Sequence, residues 1–357
     1  MRVLFLTQSA EACPASRYRV YQYLPHLEAA GVECHVSPAI SGRNYLRVYQ
    51  AQDSLRKLPY FALGEMKRLM MAPCYRHYDV VFFQQWTFPR FFPAAELAAA
   101  RVNGRMVFDM DEPLYVRPTR RRRDVADLFD PERTVTRIVK AARLVIVGNE
   151  VLRRFAVKHN ANTYVVPTAI DLDRYDPKDD YYHRPPVVIG WIGSFTTTVY
   201  LSMLEEVLRV LSRDHAIRFR VVGAPYSVEG MQSEWKPWVY EEEAEEIGKF
   251  DIGVMPLRDD EWSGGKSACK ALQYMAAGVP VVCTRNEVTG SVVRDGENGF
   301  LAGTLKEWEE KLRALIVDGD LRRRVGMAGR ETVEQEYSVK VTAPKLLRAL
   351  EVACEGE

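Results

Sequence analysis

Ten short apolar runs, most of them continuous rather than alternating, constrain this chain more than any other feature. They cover residues 3–6, 32–36, 79–83, 105–108, 144–147, 163–166, 187–192, 217–222, 252–255 and 279–283. A run without alternation fits a strand buried on both faces, the condition inside a parallel sheet. Amphipathic stretches separate the runs, for example 17–30, 150–158, 200–213 and 266–277. Strand–helix repetition predicts an α/β chain with crossover helices. The runs fall into a set of six and a set of four. Between them Pro167, Asp171, Asp173, Asp176, Pro177, Asp179, Asp180, Pro185 and Pro186 crowd one segment, which reads as a linker. We therefore expect two doubly wound, Rossmann-like domains over 1–168 and 187–336, a linker over 169–186, and a C-terminal segment over 337–357. Two such domains would face each other across a cleft, with ligands at the carboxyl ends of the strands.

Composition adds limits. Apolar residues make up 47% and charged residues 27% of the 357, a globular mix that excludes a disordered chain. Net charge is +1, but residues 1–170 hold 25 basic and 15 acidic residues, and the remainder is acidic. A basic first half suits a phosphate-bearing ligand or an anionic membrane surface, or is a plain solvated surface. The six cysteines have no metal or redox spacing, so a reducing, cytoplasmic setting is expected. The N-terminal apolar run is too short for a signal peptide, and no run approaches a membrane span.

Several segments could carry chemistry. After the run at 187–192, Gly193 would let a ligand approach the backbone, and Ser194 and Thr196 supply hydroxyls at a turn into a helix expected from about Val199. A helix start there would favour a diphosphate; an ordinary cap is the competing reading. GxGxxG is absent, which argues against a nicotinamide enzyme. After 252–255 come Arg258, Asp259, Asp260, Glu261, Gly265 and Lys266, then Lys270 and Gln273 in a helical pattern. Lys266 and Lys270, four apart, would share a face at the N-terminal end of that helix, where they oppose its dipole unless an anion binds. Gln273 could bond a ribose.

The stretch Lys270–Val282, with Gly278-Val-Pro-Val-Val after Lys270-Ala-Leu-Gln-Tyr-Met-Ala-Ala, resembles the donor-binding helix of GT-B glycosyltransferases of the retaining GT4 type, the glycosyl transferases group 1. The end of the first half, 162–171, resembles the family's strand and linker there. Asp295-Gly-Glu-Asn-Gly-Phe-Leu301 resembles its DGxNGFL turn, and Tyr337-Ser338 the start of its C-terminal helices. The similarity covers most of 160–340 and thins over 1–158. It implies a hexosyltransferase-type enzyme of polysaccharide biosynthesis that moves a sugar from a nucleotide sugar, as co-substrate, to a glycan, lipid-linked or small-molecule acceptor. It also implies retention, no metal or other cofactor, and a last helix that returns to the first domain.

On that resemblance Gly193, Ser194, Thr196, Arg258, Asp259, Glu261, Gly265 and Gln273 would bind the donor, and Lys266 and Lys270 would stabilise the leaving diphosphate. Two glutamates common in the family's donor helix are replaced by Gly265 and Gln273; Asp259, Asp260 or Glu261 could stand in for the first. A non-catalytic nucleotide-sugar binder and a GT-B-like nucleotide-sugar epimerase are the alternatives.

In the first half, Asp109 and Asp111 follow a buried run and could orient an acceptor hydroxyl, cap a turn, or form the DxD metal site of GT-A enzymes. Ser16, Arg17 and Arg19 follow the first run, and Gln85 and Trp86 the third; all five are acceptor-side candidates. Arg120–Arg123 could meet an anionic lipid, a lipid-linked diphosphate or a nucleic acid, but nothing else suggests a nucleic-acid module. The stretch 55–76, rich in Leu, Met, Lys and Arg, could lie on a membrane surface, pack as an amphipathic helix, or form a solvated loop. The histidines are dispersed, so no zinc site is assigned.

Overall fold

A computed structural model describes residues 1–50, 54–87, 92–117, 130–182 and 185–355. The basic run Arg120–Arg123 lies outside the described residues. The chain divides into two compact units. The first comprises Met1–Thr168, Gly265–Ser267 and Val339–Glu357, and the second Ala169–Gly264 and Ala268–Ser338.

The first unit is built on six parallel strands: β1 (Arg2–Leu6), β2 (Glu33–Val36), β3 (Val80–Gln84), β4 (Met106–Met110), β5 (Leu144–Val147) and β6 (Thr163–Val165). Their order is β2-β1-β3-β4-β5-β6. Every residue of β3, β4 and β5 is buried, which explains their unbroken apolar sequence. The long helix anticipated over 17–30 is instead Pro14–Arg19, a 3₁₀ turn Tyr21–Tyr23, and Leu24–Ala29. It breaks at Val20, whose φ of −134° leaves the helical region. The last helix, Val339–Cys354, packs in this unit, and the Tyr23 hydroxyl lies 3.0 Å from Thr342 Oγ1.

The second unit repeats the plan with β7 (Val187–Ile192), β8 (Ile217–Val222), β9 (Ser233–Lys236), β10 (Ile252–Met255), β11 (Val281–Thr284) and β12 (Phe300–Ala302). The order is β12-β11-β10-β7-β8-β9, all parallel. The linker segment packs into this unit over residues 169–182. Lys178 pairs with Asp251 at 3.2 Å, both buried, and the Tyr181 hydroxyl donates to Gly278 O at 2.9 Å. Its prolines and aspartates exclude an inner strand but not packing through the residues between them.

In each sheet the chain turns from one side to the other at a single place. In the first unit β1 lies between β2 and β3; in the second β7 lies between β8 and β10. The loops leaving the carboxyl ends at such a switch point diverge above and below the sheet and leave room for a ligand. Those are the loops after β1 and β3, and after β7 and β10.

Candidate functional site

In the second unit the loop after β7 begins at Gly193. A Cβ there would stand 2.5 Å from the Trp191 ring and 2.7 Å from Lys270 Cε. The end of β8 comes equally close. Gly223, at φ +110°, lies so near that a Cβ on it would overlap Gly193 O. Two strand ends and one lysine therefore converge where only glycine leaves space. Lys270 Nζ sits 5.6 Å from the centre of the Trp191 ring, a cation–π distance.

Lys270 belongs to the helix Cys269–Ala276, which Tyr274 anchors. The Tyr274 hydroxyl accepts from Ile192 N at 3.1 Å and donates to Val254 O at 3.3 Å, joining the helix to the ends of β7 and β10. The residue before the helix, Ala268, has φ +32°, one of two positive-φ residues other than glycine among the described residues. Such strain persists only where surroundings enforce it, and it clusters at functional sites.

Here the expected helix is corrected. It begins at Cys269, so Lys266 is not helical and the two lysines do not share a helical face. A separate turn, Glu261–Gly264, precedes it, with Asp260 Oδ1 accepting from Ser263 N at 2.7 Å. Asp260 is thus engaged as a cap, while Asp259 and Glu261 are exposed. Gly265 and Lys266 group with the first unit. Gly265 O accepts from Asn149 Nδ2 at 3.1 Å, and a Cβ on Gly265 would stand 2.9 Å from Pro113. That crowding explains why a glycine, not a glutamate, occupies the position.

The turn after Ser194 also differs from expectation. Phe195–Met203 is a 3₁₀ run, and the α-helix starts only at Glu205. The Ser194 hydroxyl makes no cap bond to the helix. It meets Thr196 Oγ1 at 2.8 Å, and Thr196 is exposed. Arg258 lies with its guanidinium 5.8 Å from the Tyr200 ring, so this turn and the loop after β10 are neighbours.

Gln273 is buried and donates through Nε2 to the Tyr175 hydroxyl at 3.3 Å. Tyr175 donates to Glu243 Oε1 at 3.4 Å, and Trp238 Nε1 donates to Glu243 Oε2 at 2.7 Å. The carboxylate missing at Gln273 is present two hydrogen bonds away, on Glu243. Sequence reasoning missed Tyr175, Trp238 and Glu243; their one local signal was an aromatic cluster in a polar stretch.

In the first unit the candidates come together but are consumed by one another. Arg19 forms a bidentate ion pair with Asp109, Nε lying 3.0 Å from Oδ2, and donates to Val166 O at 2.7 Å. Both side chains are at most 2% exposed. Burial pushes the Asp109 carboxyl up from its ordinary value, against the pull of the Arg19 guanidinium. Gln85, the other positive-φ residue at +58°, donates to Asp111 Oδ1 at 2.8 Å. Ser16 donates to Gln84 Oε1 at 3.1 Å, Arg17 is buried over the Tyr18 ring, and Trp86 packs in the core. Asp109, Arg19, Ser16, Arg17 and Trp86 are all buried in the first unit, and Asp109, Arg19 and Ser16 are engaged by hydrogen bonds within it. Among the described residues no three His, Cys, Asp or Glu side chains gather as a metal site, and no helix is long and apolar enough to cross a membrane.

Two doubly wound units, each with six parallel strands, define the GT-B fold of glycosyltransferases. Residues 186–318, which carry the Gly193–Lys270 convergence, match the family Glycosyl transferases group 1. Over 327 residues the chain is 26% identical to the D-inositol 3-phosphate glycosyltransferase of Geodermatophilus obscurus, covering 78% of this chain and 67% of that one. It is 32% identical over 81 residues to the lipopolysaccharide core biosynthesis glycosyltransferase LpsE of Rhizobium meliloti. That match covers 22% of this chain and 24% of LpsE. Among solved structures it resembles Anabaena HepE in complex with UDP-glucose, with a TM-score of 0.73 at 15% identity, over 98% of this chain and 99% of that one.

Proposed function

We propose that this chain is a retaining, GT4-type glycosyltransferase that moves a sugar from a nucleotide sugar to an acceptor hydroxyl without an essential metal. The observation that carries the reading is the convergence of Gly193, Gly223 and Lys270 at the switch point of the second sheet. Backbone approaches there too closely for any side chain but the lysine's, and a lysine fixed at that point suits a diphosphate. The match over residues 186–318, the named glycosyltransferase relatives and the UDP-glucose complex of the structural neighbour support it.

The chemistry follows from charge. The bond from the anomeric carbon to the phosphate oxygen breaks, leaving an oxocarbenium-like sugar and a nucleoside diphosphate. Lys270 stabilises the charge that develops on the leaving phosphate. The acceptor oxygen forms the new bond on the face that the diphosphate leaves, and its proton passes to the leaving phosphate oxygen. Gln273, held by Tyr175, would receive the ribose. The acceptor would be bound by the first unit, where Asp111 and Gln85 are the candidates for orienting its hydroxyl. The acceptor is a glycan, a lipid-linked sugar or a small molecule, and the setting is the cytoplasm.

The test is thermal shift and turnover with a panel of nucleotide sugars, with and without EDTA. One base should give an EDTA-insensitive shift; at a hundred times its Kd a ligand adds about 2.7 kcal/mol. Lys270→Ala should abolish turnover while a neutral nucleoside still binds. Binding without turnover on any acceptor would leave the non-catalytic reading; a new epimer formed without acceptor would leave the epimerase. A shift that requires a divalent ion would overturn metal independence.

A further inference from the structure

The helix Ser54–Met71 packs one face on the first unit and leaves the opposite one bare. Its inner face is settled. Glu65 Oε1 accepts from Ala95 N at 2.8 Å, Arg68 donates to Thr7 O at 2.6 Å, and a Cβ on Gly64 would stand 2.8 Å from Ala39 Cβ. On the outer face Leu63, Met66 and Met70 follow one another at helical spacing and are 58%, 52% and 75% exposed. Leu58 and Leu69 widen the stripe. A run of large apolar side chains this exposed is unusual on a soluble surface and marks a site of contact.

Charge selects the partner. From Ser54 to Tyr78 the sequence holds Arg56, Lys57, Lys67, Arg68 and Arg76 against one acid, Glu65. Glu65 and Arg68 are buried on the inner face, so among the described residues of this stretch the exposed charges are cations. A second copy of the chain docked through the same stripe would bring these cations against their own images. Aliphatic side chains rimmed by basic ones suit the boundary between acyl chains and anionic headgroups, with the lysine and arginine stems reaching toward phosphate.

We propose that this helix seats the first unit on an anionic lipid bilayer, lying in the plane of the interface with Leu63, Met66 and Met70 inserted and Arg56, Lys67 and Arg76 at the headgroups. The helix is about 27 Å long and lies along the surface rather than across it.

Vesicle flotation of the full chain tests this without donor or turnover, so its failure leaves the glycosyl-transfer reading standing. Vesicles of phosphatidylcholine alone are compared with an equal mixture of phosphatidylcholine and phosphatidylglycerol, at low and high salt. The chain should float with the mixed vesicles at low salt and far less with the neutral ones. Leu63→Ser/Met66→Ser/Met70→Ser should cut that binding by about tenfold or more, because the apolar anchor is gone. Its melting temperature should stay unchanged, since these side chains are already in water. Lys67→Glu/Arg76→Glu should remove the preference for the anionic lipid. No flotation by the unaltered chain, or equal flotation by the triple variant, overturns the proposal. So does a dimer in sedimentation equilibrium that the triple variant abolishes, because the stripe would then be a self-association surface.

Discussion

Lys270 approaches Gly193 so closely that a methyl group on Gly193 would stand 2.7 Å from Lys270 Cε and 2.5 Å from the Trp191 ring. The two residues are 77 positions apart in the sequence, and their contact is what turns a strand end and a helix start into one site.

Gly193→Ala follows from that contact. Trp191 is buried and cannot retreat, so the added methyl either displaces Lys270 or strains the strand end. Overpacking of this kind costs about 1–3 kcal/mol. We expect a lower melting temperature and loss of the nucleotide-induced shift in the same variant. Normal nucleotide binding would show that the site lies away from this turn.

The Arg19–Asp109 pair sets a second expectation. Asp109→Asn leaves a buried guanidinium without its counter-charge, and breaking a buried pair this way costs about 3–5 kcal/mol. Replacing both partners with apolar residues of similar volume should cost less than either single change. Chemical denaturation of the three variants measures the difference, and equal losses would mean that the pair is not the source of the stability.

Glu246 makes a pH dependence. Burial alone would raise its carboxyl, but hydrogen bonds from Lys249 at 2.7 Å and Lys236 at 3.0 Å, with the Arg220 charge at 2.7 Å, hold it down to about 2. Between its ordinary value and about 2 the unfolded chain binds the proton and the folded one does not. Stability from this cluster is therefore fully present above the ordinary carboxylate value and is lost as pH falls from there to about 2. The lysine partners are part-exposed, so Glu246→Gln should cost about 1–2 kcal/mol at neutral pH. The cost should shrink in acid, as read from unfolding curves across pH.

Glu65 runs the other way. Burial, then the nearby charge of Glu96, pushes its carboxyl up to about 7. The folded chain holds this proton where the unfolded chain has released it, so the term favours folding less as pH rises from the ordinary carboxylate value to about 7, and levels off above that. Glu65→Gln keeps an oxygen for Ala95 N and removes the buried charge. We expect the variant to gain about 1–2 kcal/mol over the parent near pH 8 and nothing near pH 5. A gain of equal size at both pH values would exclude titration as the cause.

The sheet interiors were the most legible part of the sequence. The runs at 144–147, 187–192 and 252–255 coincide with β5, β7 and β10, because a strand covered on both faces is apolar; the run at 217–222 also coincides with β8, whose Arg218 and Arg220 alternate with buried residues on a half-buried face. Two strands escaped notice, β9 (Ser233–Lys236) and β12 (Phe300–Ala302). Both are short edges of the second sheet, with one side unpaired, and need no continuous apolar run. Helix starts were less legible. Lys266 fits a helical pattern extended backward from Lys270, but the positive φ of Ala268 stops the helix before reaching it.

The sequence by itself determined the two sets of buried strands, the break between them and the glycine at the end of β7, since burial and backbone approach leave their mark on local residue type. Only the tertiary structure decided which polar side chains remain open. Arg19 meets Asp109 across 90 residues, Gln273 meets Tyr175 across 98, and Lys270 meets Gly193 from another element. A polar residue after a strand looks the same in sequence whether it faces a ligand or a buried partner. The partner comes from a distant part of the chain, and only folding brings it within hydrogen-bonding reach.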